Sequence, residues 1–226
     1  RHLSYCIINN KTYNVEYINK FIIENDCFDL INEDEIIKLD FASSSVVFTD
    51  FPSTLIPDEL FDKENSEKIL ELTSNVYDLI RSDLLSDINT HLIYTIPDLI
   101  NDIAFTFFPN AKQKAQQSLL IEQFIKLDEN KNNAYIYIGE NSLNITAFKN
   151  GKLLLNNSFD FETKEDILYY TLFAFEQLKL NTDTVITRLY GEIIKGDEKH
   201  QLLYEYIRNI KFGSRPHHLN FSSEFN

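Results

Sequence analysis

The chain has 226 residues, 43% of them hydrophobic and 13% aromatic, which suffices for one large domain or two small ones and excludes a largely disordered chain. Its 35 acidic and 21 basic residues give a formal charge of -14, which repels phosphate backbones and disfavours nucleic acid as a partner. No apolar stretch approaches the roughly 20 residues of a membrane span. Two cysteines, Cys6 and Cys27, are too few for a disulfide framework, so we expect a soluble cytoplasmic protein.

The first half opens with two β-rich runs at 3–8 and 12–18, separated by turn-forming residues, which predict a hairpin. A β-branched run at 45–49 predicts a strand that ends before Pro52. Pro57 is predicted to open a helical turn, and Ser66 to cap a short helix.

Strands are next predicted at 77–81 and 91–95. Pro97 opens a helix, and a second helix carries the apolar residues Leu119, Leu120, Ile121, Phe124 and Leu127. The polar joint at 128–133 then separates two predicted lobes, 1–130 and 131–213, with a polar tail at 214–226.

The second half contains three β-rich runs at 134–138, 142–148 and 152–159, and Asn150-Gly151 is a strong hairpin signal between the last two. Thr163 is predicted to cap a long helix. A strand at 184–188, a glycine-bearing loop and a helix with Leu202, Leu203, Tyr206 and Ile207 follow. The predicted order is therefore βββαβα.

Four groups of residues carry a family resemblance: Phe51-Pro52-Ser53-Thr54-Leu55-Ile56-Pro57, Asp166-Ile167-Leu168-Tyr169-Tyr170, Gly191-Glu192-Ile193, and Tyr206-Ile207-Arg208-Asn209. With the βββαβα order, they make nearly the whole chain similar to a family of uncharacterised bacterial proteins, a domain of unknown function with an actin-like ATPase (ribonuclease H-like) fold. The resemblance implies an α/β protein of two actin-like βββαβα-type lobes, the N-terminal one degenerate. It implies no activity, because a fold does not fix a function.

The resemblance also indicates where a nucleotide would bind. In actin-like ATPases, Asp-x-Gly hairpins hold the phosphates and Mg²⁺, and a later glycine turn holds the adenosine. Here Gly139 keeps the hairpin glycine, followed by Asn141 and Ser142, but Tyr137 stands at the aspartate position. Gly191 is the single glycine in the adenosine region, so both loops are degenerate.

A non-catalytic protein-interaction or scaffold protein is therefore expected, without cofactor or metal. Its partner is expected to be another protein or a second copy of the chain, held either in a cleft between the lobes by Asn141, Tyr190 and Glu192 or on an exposed aromatic face. The alternative is a divergent ATPase that binds ATP and Mg²⁺. Its catalytic acids would lie upstream of Arg1 or be replaced by Glu140 and Glu192.

Overall fold

The computed structural model describes residues 2–23, 27–127, 132–214 and 219–221. The chain forms two compact units: unit 1 comprises Arg1–Ser44, Ile103–Asn110 and Ser214–Asn226, and unit 2 comprises Ser45–Asp102 and Ala111–Gly213. These units are not the lobes predicted from the sequence, and the lobe boundary at 130/131 stays a prediction. Most of the predicted joint, 128–131, and most of the predicted tail, 215–218 and 222–226, lie outside the described residues.

The described part of the chain contains thirteen strands and six α-helices. The strands are β1 (His2–Ile8), β2 (Asn14–Ile22), β3 (Ser45–Phe48), β4 (Ser53–Pro57), β5 (Leu79–Leu85), β6 (Thr90–Ile96), β7 (Lys112–Ala115), β8 (Asn133–Ile138), β9 (Ser142–Lys149), β10 (Lys152–Asp160), β11 (Ile186–Gly191), β12 (Asn209–Phe212) and β13 (Asn220–Phe221). The helices are α1 (Cys27–Glu33), α2 (Ser66–Glu71), α3 (Asp98–Phe107), α4 (Gln116–Leu127), α5 (Lys164–Gln177) and α6 (Glu198–Tyr206).

Unit 1 is built on the predicted N-terminal hairpin, which is confirmed. β1 and β2 pair antiparallel, and β13 joins β2 in parallel. Ile31 of α1 and Ile103 of α3 are buried with Ile37 in its core. Burial of side chains of this size contributes about 1.5–3 kcal/mol each, which holds the helices against the hairpin.

The largest sheet of unit 2 contains the predicted βββαβα order. Its strand order is β10-β9-β8-β11-β12, with β8 to β10 antiparallel and β11 parallel to both β8 and β12. Asn150 and Gly151 form the turn between β9 and β10 with φ values of 53° and 75°, the left-handed conformation that this hairpin turn requires.

Helix α5 packs on this sheet, and Thr163 caps it as predicted. Thr163 accepts a hydrogen bond from the Asp166 N–H, and Asp166 accepts one from the Thr163 N–H, which forms a capping box. Ile167 and Phe175 of α5 are buried in the same core as Ile136 and Ile145 of the sheet. The central sheet and α5 therefore form the core beneath the loops that lie at the ends of β8 and β11.

Unit 2 also contains a three-stranded antiparallel sheet, β4-β6-β5, and a parallel pair, β3-β7. Neither β4 nor β7 was predicted. Pro57 ends β4 and is also the N-cap of a one-turn 3-10 helix, Asp58–Leu60, so the predicted helical turn is present directly after it. Ser66 is the first residue of α2 rather than its cap. Tertiary pairing with β6 and β3 fixes these strands, since their own sequences carry weak β patterns.

No helix within the described ranges is long and apolar enough to cross a membrane.

Candidate functional site

The candidate phosphate hairpin joins β8 to β9 and contains three of the predicted site residues. The Gly139 N–H donates a hydrogen bond of 2.7 Å to the Ser142 carbonyl oxygen, and the Asn141 carbonyl accepts one of 3.1 Å from the Phe161 N–H. A Cβ at Gly139 would lie 2.7 Å from the Ser142 Oγ, closer than real side chains approach. The hairpin therefore closes on itself, and a side chain at residue 139 would displace the Ser142 hydroxyl.

Asp50 lies beside this hairpin, a contact that sequence reasoning missed. It follows β3, and the Ser142 hydroxyl donates a hydrogen bond to its carboxylate. Asp50 is exposed and has a φ of 60°, a left-handed conformation that Asp tolerates better than most residues. The local signal was the aspartate between the β3 run and Pro52, but its proximity to a hairpin 92 residues away follows only from the fold.

Tyr137 occupies the position at which the resemblance implies an aspartate. Burial, then the nearby charges of Asp50 and Glu192, raise the pKa of Tyr137, while a hydrogen bond with the Gln116 side chain acts in the opposite direction. The phenol is therefore neutral near pH 7, and it cannot neutralise a metal ion as a carboxylate does.

The second predicted loop directly adjoins the first at the end of β8. Gly191 lies opposite Ile138 in the parallel pairing, and the Glu192 N–H donates a 2.7 Å hydrogen bond to the Ile138 carbonyl. Gly191 has a φ of 85°, and a Cβ there would overlap the Ile138 carbonyl oxygen. Close approach of the two backbones therefore requires this glycine.

The predicted contact residues differ in their surroundings. Asn141 and Glu192 are exposed at the loops, as expected for residues open to a partner. Tyr190 is only partly exposed, because its ring packs 5.2 Å from that of Phe124 and 6.5 Å from that of Tyr135. Tyr190 thus contributes to packing beneath the loops, and its burial raises the pKa of its hydroxyl.

The site is acidic and its backbone donors are partly occupied. The Gly139 and Glu192 N–H groups both donate to carbonyls within the fold. Glu140 and Glu192 are exposed on the two loops, and the charges of Asp50 and Glu192 both act on Tyr137. Among the described residues, no group of three or more His, Cys, Asp or Glu side chains is arranged to hold a metal ion.

Comparison with known proteins identifies the family. A family model described as "Protein of unknown function (DUF3822)" matches residues 1–210, and the chain belongs to this family. No curated protein sequence matches the chain.

Solved structures identify the fold. A protein from Bacteroides thetaiotaomicron with an actin-like ATPase fold and unknown function is 21% identical, with a TM-score of 0.81 over 99% of this chain and 87% of that one. The PilM-PilN type IV pilus biogenesis complex contains a chain that is 9% identical, with a TM-score of 0.59 over 99% of this chain and 88% of that one. The protein therefore has the actin-like ATPase fold, which confirms the fold class predicted from the sequence.

Proposed function

We propose that the protein is a non-catalytic, partner-binding member of the actin-like fold. The observation that carries the proposal is the state of the hairpin: Tyr137 stands where an aspartate would hold Mg²⁺, and the Gly139 N–H is used within the loop. Phosphoryl transfer needs metal-bridged phosphates and free donors aimed at them. Tyr137 supplies no carboxylate for a metal ion, and the Gly139 N–H is not free to donate to a phosphate.

Electrostatics favours the same conclusion. Asp50 and Glu192 both act on Tyr137, so the loops carry negative charge where a nucleotide would bring more. Without a bound cation, these negative charges oppose the binding of a negatively charged phosphate. Asn141 and Glu192 are instead suited to hydrogen bonds with a protein surface.

The partner is proposed to be another protein or a second copy of the chain. The PilM-PilN structure, whose PilM-like fold this chain shares at low identity, is a complex between proteins of type IV pilus biogenesis. It supports the proposal by analogy, because it shows an actin-like chain in a protein assembly, and it does not name the partner here.

The proposal is tested by combining Glu192→Lys with Asn141→Arg and recovering bound proteins from cells. Both residues are exposed, so the double variant is expected to lose its partner while its unfolding midpoint stays nearly unchanged. A charge-matched control combines Glu205→Lys with Gln123→Arg on exposed positions of α6 and α4, and it should retain the partner. Retention of every partner by the first variant would overturn the assignment of these loops.

One observation favours the alternative, a divergent ATPase. Asp50 places a carboxylate against the hairpin through Ser142, a position from which it could hold a cation in place of the missing aspartate. Under this alternative, Mg-ATP binds and the Asp50→Asn variant binds at least about tenfold more weakly. Equal heats of titration for the two proteins would eliminate this role of Asp50.

A further inference from the structure

A groove of about 580 Å³ lies in unit 2, away from the loops described above. Its walls are the edge strands β4 and β10, together with Ile88 at the end of a 3-10 turn and Thr90 at the start of β6. In the described part of the chain, β4 pairs only with β6 and β10 pairs only with β9. Two sheet edges therefore face one another across this groove.

The register of β4 shows which of its backbone groups face the groove. The Thr95 N–H donates to the Pro52 carbonyl and the Asp58 N–H donates to the Asn89 carbonyl, both in line with the β4-β6 register. Because hydrogen-bonded pairs alternate along antiparallel strands, Thr54 and Ile56 bond to β6. Leu55 therefore turns its N–H and C=O away from β6.

Pro57 supports this assignment. Pro57 lies two residues after Leu55, so its backbone nitrogen also points away from β6. Its missing N–H therefore leaves the hydrogen bonds between β4 and β6 intact. Proline is found in strands at just such outward positions of an edge.

The same reasoning applies to β10. The Phe161 N–H donates to the Asn141 carbonyl, and the register places Asn157 and Leu155 in the same alternating set of bonds to β9. Asn156 therefore turns its N–H and C=O outward. Its side chain is held by hydrogen bonds to Asn144 and Thr146, of 3.2 Å and 2.8 Å, so its backbone has a fixed place in the wall.

A buried side chain marks one end of the groove. Gln117, only 3% exposed, bridges Phe51, which lies just before β4, and Ser158 of β10, with contacts of 3.4 Å to the Phe51 carbonyl and to the Ser158 hydroxyl. From there the lining residues extend to Pro57 and Gly151. On β4 they are Thr54, Leu55 and Pro57, a stretch of four positions that at about 3.3 Å per residue is roughly 13 Å long.

The lining of the groove combines apolar and polar side chains and carries a single positive charge. Leu55, Leu153 and Leu154 contribute apolar surface, and Lys152 is the one charged residue among those that line it. In a chain with a formal charge of -14, a groove without carboxylates is suited to an acidic group beside Lys152.

We infer that this groove binds a short extended peptide segment of a partner protein, inserted as a strand between β4 and β10. Main-chain hydrogen bonds to Leu55 and Asn156 would hold it from both sides, as in strand addition to a sheet edge. Alternate apolar side chains of the segment pack on the leucines, and an acidic side chain pairs with Lys152. The inference is independent of the proposed function, because the groove would bind a peptide even if the loops at Gly139 and Gly191 bound a nucleotide.

Features of the edges limit what can enter. The β10 register shifts between Leu153 and Leu155, which marks a bulge, and Pro57 offers no N–H. Such features block the indefinite edge-to-edge pairing that leads to aggregation. They leave short regular stretches around Leu55 and Asn156, so the ligand is a short segment rather than a second sheet.

The test uses a displayed library of random eight-residue peptides selected on the immobilised full chain. Leu55→Pro removes the outward N–H, whereas Leu55→Val retains it and serves as the matched control. Lys152→Glu reverses the charge of the groove and leaves the backbone hydrogen bonds unchanged. It therefore tests the inference even if Leu55→Pro does not fold. Thermal unfolding verifies the fold of each variant.

Selected peptides are expected to alternate β-branched or aromatic residues and to carry an acidic residue. Their affinity should fall at least about tenfold in Leu55→Pro and in Lys152→Glu and remain unchanged in Leu55→Val. The Glu192→Lys, Asn141→Arg double variant should bind them normally, which separates this groove from the loops. The inference is overturned if no peptide is enriched over the bare support, or if folded Leu55→Pro and Lys152→Glu proteins bind as tightly as the parent.

Discussion

The Ser142 hydroxyl donates a hydrogen bond to the Asp50 carboxylate, joining the candidate phosphate hairpin to the end of β3. Asp50 makes this contact from a left-handed backbone conformation, with a φ of 60°. Unusual backbone at a loop persists where surrounding contacts hold it. This pair therefore anchors the hairpin from outside its own sheet.

Ser142→Ala removes this anchor without adding bulk. We expect the free energy of unfolding to fall by about 1 kcal/mol, the usual net contribution of one hydrogen bond. Urea denaturation measures it, with Ser86→Ala at an exposed position as the control. If both variants are equally stable, the Asp50 contact contributes nothing to the loop.

The two glycines at the second loop provide a matched pair. Gly191 and Gly196 both have positive φ values, 85° and 92°, so alanine at either carries the backbone cost of about 1–2 kcal/mol. At Gly191 the new Cβ would also meet the Ile138 carbonyl, whereas nothing lies within 4 Å at Gly196. Gly191→Ala should thus destabilise the protein by at least about 1 kcal/mol more than Gly196→Ala, as measured by denaturant unfolding.

Similar losses for the two glycine variants would contradict the close backbone approach of Gly191 to β8.

The capping box of α5 predicts a pH-dependent stability. Hydrogen bonds from the Thr163 N–H, the Glu162 N–H and the Thr163 hydroxyl lower the pKa of Asp166. A carboxyl with a depressed folded pKa stabilises above its unfolded pKa, and that stability is lost as the pH falls through the folded pKa. Asp166→Asn should therefore lower the melting temperature near pH 7 and have little effect near pH 2.

Glu165→Gln is the control for this pH experiment, because it removes a charge from the same helical turn and leaves the capping box intact. A melting difference for Asp166→Asn that is the same in acid and at neutral pH would exclude ionisation of Asp166 as its cause.

The second half was the more predictable from sequence because its signals are local. Asn150-Gly151 specifies a tight turn by backbone conformation alone, and Thr163 with Asp166 specifies a helix start within four residues. In contrast, β7 reads Lys112–Ala115 with two lysines and a glutamine, and it is a strand because it pairs with β3.

The candidate site also combines residues that the sequence indicates with residues that only the fold brings together. Gly139 and Gly191 were predicted from the family resemblance, and the backbone approach to Ile138 requires glycine at residue 191. Asp50 was missed, since its contact with Ser142 joins segments 92 residues apart and no local pattern encodes it. Tyr190 was predicted as a contact group, whereas its ring packs toward Phe124.

We propose that the hairpin around Gly139 does not form a nucleotide site. The most direct test of this proposal is calorimetric titration of the full chain with Mg-ATP, with and without the metal. Because Tyr137 replaces the expected carboxylate and the Gly139 N–H is already bonded, we predict no binding tighter than about 10 μM, or about -7 kcal/mol. Mg²⁺-dependent binding tighter than that value would show that the hairpin does form a nucleotide site and would overturn the proposal.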